Sequence, residues 1–491
     1  MLFNTIDFVI FFIVALTVLA AIKNRKYQHI FLLLASYFFF YYTSNYLIIL
    51  LIFTTVWDYY FAHMIYKAKD QKIRRIIFLV SLAGNIGLLG FFKYADFAIA
   101  QFNFLGNQLD LNSQIPMLDL ALPIGISFYT FHSIGYVIDV YRRQITPSKS
   151  LREYAIFITF FPLLVAGPIL RAKEFLPQLR EKMDGIKMGT RLRQIVINQS
   201  NLKIGMTLIS LGLLKKMFFA DNIAPMVNQI FSQPLGLDSF TIILGTIGFG
   251  IQVYGDFSGY SDIAIGAALI LGFKIPANFN KPFFATSPSE FWRRWHISLS
   301  NWVKDYLFLP IVYRKIGSDF VLAFGLMITF IILGLWHGAG WNFILFGFLH
   351  GIYVTIETII RKRSPGLADH WFFKKRIGKI VSILGTQYLI FLAWIPFRVT
   401  NTNDMFYVME KYIILDFQTG NIMNFLMSHK LPIALIVLFI ILHLVSYRTK
   451  NIQEKISKLN LYWWTIFLTV TFLAIMLFYN GTPSDFIYFK F

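Results

Sequence analysis

The chain has 491 residues, of which 57% are hydrophobic and only 14% are charged, against about 25% charged residues in ordinary soluble domains. So much apolar surface, including 54 phenylalanines, excludes a water-soluble protein and indicates an integral membrane protein with many spans. The net charge of +20 is divided among short basic clusters between apolar runs, a pattern of membrane topology rather than of nucleic-acid binding. Cysteine is absent, which excludes disulfides, thiolate metal sites and a cysteine nucleophile.

The first part of the chain alternates apolar runs with basic turns. Since about 20 apolar residues cross a bilayer, the runs that predict the first spans are 8–22, 30–42, 46–65 and 76–92. Basic clusters at 23–26 and 67–75 predict cytoplasmic turns and therefore an N-terminus outside. A polar loop is predicted for 96–114.

Two later segments are apolar but interrupted. The segment 121–143 contains proline, glycine, serine, threonine and His132, and the segment 154–170 contains Phe-Phe-Pro and Ala-Gly-Pro between two basic flanks. Interrupted backbone at membrane depth survives only where protein or a water-filled cavity satisfies it. We therefore predict a broken helix that lines a central cavity, with His132 among the lining residues, followed by a half-span.

Charged residues lie inside the next two apolar runs, 204–220 and 241–266. The first run holds two lysines that are expected to snorkel toward water at the end of a span, Lys215 and Lys216. The second holds two aspartates that must face the protein interior and pair there, Asp256 and Asp262. An internal ion pair explains these aspartates as well as catalysis does. The candidate partners are Arg293 and Arg294.

The segment 271–310 is aromatic, basic and amphipathic, without a clean span. It predicts a helix in the membrane interface on the inner side, with charges toward water, rings toward lipid and an N-cap near Ser289. His296 follows Arg293 and Arg294, a setting suited to an anionic group. The alternative for His296 is an interfacial ring that bonds a backbone carbonyl.

His337 is the one titratable residue between the apolar runs 320–335 and 341–360. Trp336 and Trp341 flank it and are expected to wall it off from water and lipid. A buried histidine is a common general base near neutral pH, but a histidine that bonds neighbouring helices fits this stretch equally well.

Three further runs, 380–397, 432–445 and 462–479, complete about eleven predicted transmembrane helices. Basic clusters at 361–363 and 448–458 are expected inside, so both termini lie outside. No sequence repeat, HExxH, P-loop or nucleophile elbow occurs, and neither a metal nor a bound cofactor is predicted. We expect a single all-α membrane domain over 1–491, with core motifs in 121–351.

Two motifs carry a resemblance: FWRRWHISLSNWVKDYLFLP (291–310) and GLWHGAGWNFILFGFLHG (334–351). Together they resemble the membrane-bound O-acyltransferase family, and in particular its bacterial branch with the alginate O-acetyltransferase membrane subunit and the teichoic-acid D-alanyl transfer subunit. Four further stretches have the expected look and order: 126–142, 160–169, 251–266 and the closing DFIYFKF (485–491). One departure is His132, where related sequences often carry glutamine.

The resemblance implies transmembrane, re-entrant and interfacial helices around a central cavity, and a general-base mechanism. The invariant histidine of the family corresponds to His337, the expected general base, and its second motif histidine to His296. His296 is expected to position the donor together with Arg293 and Arg294. The residues expected to line the cavity are Trp336, Asn342, Asp256, Tyr260 and His132.

The resemblance also implies transfer of an acyl group, an acetyl group by preference, across the bacterial cytoplasmic membrane to a polysaccharide such as alginate. Acetyl-CoA or an acyl carrier is the expected donor, and outer-face acetyltransferase subunits are the expected partners. The length, the Asp-Tyr-Leu stretch and the ending favour this branch over D-alanyl transfer to teichoic acid. A transporter or flippase is the rival of another class, but transporters commonly show paired halves and the two motifs occur once each.

Overall fold

The computed structural model describes residues 1–110, 114–165, 167–184, 199–315, 317–368, 370–417, 419–479 and 481. Throughout these residues the regular structure is helical and no β-strand occurs, so the predicted all-α class is confirmed. The closing motif at 485–491 lies outside the described residues.

The chain contains two compact units. The first comprises Met1–Met206 with Ala264–Ile275, and the second comprises Thr207–Ile263 with Pro276–Phe491. The helices from the N-terminus to Leu213 are α1 (Ile6–Ala21), α2 (Arg25–Ser44), α3 (Ile48–Lys67), α4 (Gln71–Gln108), α5 (Ile126–Tyr141), α6 (Leu151–Thr159), α7 (Ala172–Asp184) and α8 (Gln199–Leu213). The predicted single domain stays a prediction.

The remaining helices begin after a π-helical segment, Leu214–Ala220. They are α9 (Asp221–Ser232), α10 (Ser239–Ile270), α11 (Pro288–Arg294), α12 (Ile297–Val303), α13 (Leu309–Val312), α14 (Asp319–His337), α15 (Trp341–Arg363), α16 (Pro365–Ala368), α17 (Trp371–Lys374), α18 (Arg376–Arg398), α19 (Thr402–Ile414), α20 (Thr419–Ser428), α21 (Lys430–Thr449), α22 (Ile452–Ser457) and α23 (Leu461–Leu477).

Seven helical segments among the described residues are long and apolar enough to cross a membrane. They are the α2–α3 segment, α4, α10, α14, α15, α18 and α21. Two shorter apolar helices, α1 and α23, add to them. The chain is therefore a multi-pass membrane protein, and the number of about eleven spans stays a prediction.

Polar caps set where the long helices begin. The Asp70 carboxylate accepts hydrogen bonds from the backbone N–H groups of Lys72 and Ile73 at the start of α4. The Ser318 hydroxyl likewise accepts from the Val321 N–H at the start of α14. Such caps satisfy donors that the first helical turn leaves unpaired. The capping residues therefore mark where these helices begin, even where the apolar run is shorter than the helix.

The polar loop predicted for 96–114 is wrong for its first part, because α4 continues to Gln108. Its polar side chains bond the chain that follows. The Asn103 side chain donates to Ile115 O at 2.8 Å and accepts from Ile115 N at 2.9 Å, and Asp96 accepts from Leu118 N at 2.7 Å. Polar residues here hold a returning segment beside the helix instead of ending it.

The two interrupted segments differ, because the first forms the unbroken helix α5 after a non-helical start, whereas the second leaves the helix part-way. Gly125 precedes α5 with φ 81°, and the segment after α6 leaves the helix at Phe160. Leu170 N donates a hydrogen bond to His132 Nε2 at 3.0 Å, so the broken backbone is satisfied inside the protein. His132 is buried, and its cavity-lining role stays a prediction.

Gly125 generates a test of this packing. A Cβ there would lie 2.5 Å from Leu164 O, in a backbone conformation that side chains rarely adopt. We expect Gly125→Ala to lower the midpoint of thermal unfolding of the detergent-purified protein, because left-handed strain of about 1–2 kcal/mol is joined by a clash.

The matched control is Gly236→Ala. Gly236 has φ 86° with nothing within 4 Å of the added Cβ, so only the backbone strain acts. Equal losses in the two variants would contradict the close contact at Gly125.

Candidate active site

Helices α14 and α15 form a hairpin whose backbones touch. A Cβ at Gly334 would lie 2.2 Å from Phe343 O, and one at Gly347 would lie 2.3 Å from Phe330 O. Only glycine permits this approach, since any side chain would force the helices apart. His337 is the last residue of α14, so the hairpin holds it at its closed end.

The His337 ring is 95% buried in an aromatic shell, with 5% of its surface exposed. Its ring centre lies 4.7 Å from that of Trp336, 5.4 Å from Phe346 and 5.3 Å from Phe397. The expectation for Trp341 is wrong: it is 64% exposed, and phenylalanines wall the ring off instead. The helix turn carries Trp341 outward because the chain is extended at Gly338 and Gly340 just before it.

A small cavity lies against His337, with a volume of about 10 Å³, on the order of the space for one water molecule. Its lining residues are Phe249, Val253, Trp295, His337, Phe346, Trp394 and Phe397. Apart from the imidazole and the indole N–H groups, the wall is hydrocarbon. Such a site excludes bulk water and strengthens any hydrogen bond formed inside it.

His296 lies between α11 and α12 in a left-handed conformation, with φ 42°. Its Nδ1 is 3.2 Å from Asn278 Oδ1, an acceptor that also takes the Ser298 hydroxyl at 2.9 Å. Nδ1 therefore carries the proton and donates it, which leaves Nε2 as an acceptor. Within the described residues Nε2 is buried without a hydrogen-bond partner.

Burial lowers the pKa of His296 to about 3, so the ring is neutral at physiological pH. The ring centre lies 6.3 Å from that of Trp336, whose other neighbour is His337. The two motif histidines are therefore separated by one indole ring. The partner is a side-chain amide, that of Asn278 in the turn before α11, and not the backbone carbonyl predicted as the alternative.

The single helix predicted over 271–310 is wrong, whereas its place at the membrane interface stays a prediction. Two short helices of the segment, α11 and α12, break at His296, and the N-cap of α11 is Ser287, not Ser289. Its rings pack inside the protein: the Trp295 and Trp394 ring centres are 5.0 Å apart. Both rings are buried, so these aromatic side chains do not face lipid.

The two arginines before His296 differ. Arg294 forms a forked pair with Glu290, at 3.0 Å from Nε and 2.7 Å from Nη2. Burial raises the pKa of Glu290, but hydrogen bonds from Thr286 and Arg294 outweigh it and hold the pKa below its usual range. Arg293 is exposed. Of the two predicted donor-binding cations, Arg293 is the accessible one.

The predicted pairing of the buried aspartates with Arg293 and Arg294 is wrong. Asp256 lies 2.7 Å from Lys216 Nζ, and Asp262 lies 2.5 Å from Lys215 Nζ.

The snorkelling predicted for the two lysines also fails for Lys216, whose side chain is 1% exposed and which pairs with Asp221 at 2.9 Å as well. A Cβ at Gly255 would lie 2.8 Å from Lys215 O, so α10 approaches the π-helical segment closely enough for the ions to meet.

The remaining predicted lining residues are buried in other settings. Tyr260 is fully buried with Lys216 Nζ 6.0 Å from its ring centre. Asn342 donates to Pro396 O at 3.0 Å and so ties α15 to α18. Trp336 lies between the two histidines, as described above. From α10, the cavity beside His337 is lined by Phe249 and Val253. The cavity-lining roles of Tyr260, Asn342 and Trp336 stay predictions.

His350 is a third buried histidine of this unit. It accepts a hydrogen bond from Trp292 Nε1 at 3.3 Å, and its ring centre is 4.6 Å from that of Phe346. This contact joins α15 to α11, the helix before His296. Within the described residues no group of three or more histidine, aspartate or glutamate side chains could hold a metal ion.

The sequence model of the membrane-bound O-acyltransferase family, MBOAT, matches residues 141–395, which include both histidine motifs. The chain belongs to this family.

Three relatives illustrate its range. The peptidoglycan O-acetyltransferase of Helicobacter pylori is 33% identical over 74% of the chain and 69% of the relative. The probable alginate O-acetylase AlgI of Azotobacter vinelandii is 35% identical over 71% and 65%. The teichoic acid D-alanyltransferase of Bacillus subtilis is 28% identical over 56% and 68%. The chain thus spans about two thirds of the length of each.

The ion pairs at Lys216 give a testable prediction. Lys216→Met leaves Asp256 and Asp221 without their shared cation, and removing one partner of a buried pair costs about 3–5 kcal/mol. We expect a marked fall in the midpoint of thermal unfolding in detergent, partly recovered by adding Asp256→Asn.

Lys304→Met is the control. Its 3.8 Å pair with Asp305 is exposed, so the midpoint is expected to stay close to that of the parent protein. A Lys216→Met protein as stable as Lys304→Met would show that the buried network contributes no net stability.

Proposed function

We propose that this protein is a membrane O-acyltransferase that moves an acetyl group from a cytoplasmic donor to a hydroxyl group of an extracytoplasmic polysaccharide. The observation that carries the proposal is His337 of the GLWHGAGW motif, buried at the closed end of the α14–α15 hairpin beside a small aromatic cavity. The chain's family fits that chemistry.

His337 acts as general base in this proposal. Its imidazole takes the proton from the acceptor hydroxyl as the oxygen attacks the carbonyl carbon of the acyl donor. The tetrahedral oxyanion then expels the donor's leaving group, a thiolate if the donor is a thioester, and the imidazolium returns the proton. A positioned base contributes about 10²- to 10⁴-fold to the rate.

The aromatic wall has two effects on this step. It keeps water from hydrolysing the acyl group, and it lets the developing charge interact with fixed dipoles instead of bulk solvent. The cavity has room for about one water molecule, so donor and acceptor enter only when rings such as Phe249 and Phe397 turn aside.

His296 positions the donor. Because Nδ1–H is held by Asn278, Nε2 offers a neutral acceptor for a donor N–H or O–H group. The exposed Arg293 supplies a cation for a phosphate or carboxylate of the donor, acetyl-CoA or an acyl carrier. Arg294 stays with Glu290 and stabilises the turn that carries His296.

The proposed route follows from the basic clusters. Arg361, Lys362 and Arg363 end α15 at the pole opposite to His337, and basic ends are cytoplasmic. The donor then approaches from the cytoplasm past His296, and the acceptor meets His337 from outside. We place the protein in the bacterial cytoplasmic membrane with both termini outside, and outer-face acetyltransferase subunits as its partners.

Two acetylases of polysaccharides, with 33% and 35% identity, support an acetyl group and a polysaccharide acceptor such as alginate or peptidoglycan. D-alanyl transfer to teichoic acid is the second candidate, because a D-alanyltransferase is 28% identical. The family assignment disfavours a transporter or flippase.

The general base is tested by His337→Ala in cells that acylate their surface polysaccharide. We expect normal membrane expression and a fall in ester content of about 10²-fold or more, because no other base replaces the imidazole. Released acetate or D-alanine is measured after mild alkali, which also separates the two candidate acyl groups.

His63→Ala is the matched control, since His63 Nδ1 lies 2.8 Å from Tyr59 O of its own helix. It should leave ester content unchanged. Full acylation in cells with a well-expressed His337→Ala variant would contradict the general-base role and leave His337 with a structural role only.

The orientation is tested with single cysteines, for which the cysteine-free parent is the blank. Asn4→Cys should react with an impermeant maleimide on intact cells. Lys69→Cys and Lys362→Cys, at exposed positions in basic clusters, should react only after permeabilisation. Labelling of Lys362→Cys on intact cells would invert α15 and make the proposed route for the acyl group untenable.

A further inference from the structure

Arg398 is a cation at the same end of the helices as His337. It is the last residue of α18, which begins at the exposed Arg376. The hydrogen bond from Asn342 to Pro396 O places the end of α18 beside the start of α15. Arg398 therefore lies at the pole away from the basic cluster that ends α15.

The surroundings of Arg398 are apolar and neutral. Its guanidinium carbon lies 5.7 Å from the ring centre of Phe231 and 6.0 Å from that of Phe249, and Nη2 donates to Asn228 Oδ1 at 3.0 Å. Across the described part of the chain no carboxylate forms an ion pair with it. A half-buried guanidinium normally has such a partner, because a desolvated charge is costly when unpaired.

Phe249 also belongs to the wall of the His337 cavity. Its ring centre is 6.4 Å from that of Phe397, which in turn is 5.3 Å from His337. One phenylalanine ring therefore separates the arginine from the cavity. The helix dipole favours a cation in the last turn of α18. It does not explain why the guanidinium lies between two aromatic rings beside the cavity.

We propose that Arg398 binds an anionic group, a carboxylate or a phosphate, of the acceptor polymer. This inference rests on the proposed acyl transfer and adds its substrate class: acidic rather than neutral polymers. A guanidinium has five N–H donors, of which Asn228 occupies one, and its fork matches both oxyanions. When Arg398 holds an acidic monomer of the polymer, a hydroxyl of the neighbouring monomer lies about the width of the Phe249 ring from the His337 cavity.

The same oxyanion chemistry could come from a phospholipid headgroup, so the test separates the two sources. The full chain is purified in detergent without added lipid, and its midpoint of thermal unfolding is followed against glucuronate, glycerol phosphate or glucose at matched ionic strength. A fourth series uses phosphatidylglycerol. Ligands that bind the folded state raise the midpoint.

We expect glucuronate or glycerol phosphate to raise the midpoint and glucose to leave it unchanged. Arg398→Gln should weaken that anion's apparent affinity by about 10- to 100-fold, the usual effect of losing a charge-assisted pair. Arg398→Lys, which keeps the charge but loses the fork, should be intermediate. Arg376→Gln, at the other end of the same helix, should behave as the parent protein.

Anions no more effective than glucose on the parent protein would overturn the proposal, as would an anion effect that survives in Arg398→Gln. A response to phosphatidylglycerol alone would assign the site to lipid and overturn the acceptor role. If Arg398→Gln fails to fold, the anion effect on the unfolding midpoint is compared between the parent protein and Arg398→Lys, and an equal effect in the two would contradict the proposal. His337→Ala should keep the anion effect, so a failed general base and a failed anion site are told apart.

Discussion

The backbone contact between α14 and α15 is the constraint on which the site depends. Ordinary helix pairs stand about 8–10 Å apart with side chains between them. Gly334 and Gly347 remove that layer, so the carbonyls of Phe343 and Phe330 meet the facing helix directly. At this separation the Phe346 ring centre lies 5.4 Å from that of His337. The glycines of the motif are therefore as much part of the site as the histidine they surround.

Polar groups around the site are fixed from outside it. His296 owes its tautomer to Asn278, which in turn accepts from Ser298 and donates to Ser261 of α10. The same helix is anchored through Asp256 to Lys216. A site made almost wholly of rings has few directional contacts of its own. Its geometry is consequently set by buried hydrogen bonds and ion pairs one residue layer away.

Apolar runs were enough to predict most of the long helices, and the motifs singled out two histidines that the structure places on either side of Trp336. The wall of the cavity was not predictable, because Phe249 and Trp394 come from helices about 145 positions apart in a chain with 54 phenylalanines. The ion pair between Asp256 and Lys216 was not predicted for a different reason. The π-helical segment at Leu214–Ala220 changes the direction in which Lys216 leaves the helix, and no pattern in the run marks that change.

The length of α4 has a consequence for the surface of the protein. With 38 residues it is about 57 Å long, and a tilt of about 40° still leaves about 44 Å along the membrane normal. The hydrocarbon layer is only about 30 Å thick. At least one end of α4 therefore extends past the hydrocarbon layer into the headgroup region. At the end that carries Asn103, hydrogen bonds to the segment at 115–118 pair backbone groups that a hydrocarbon environment would leave without a partner.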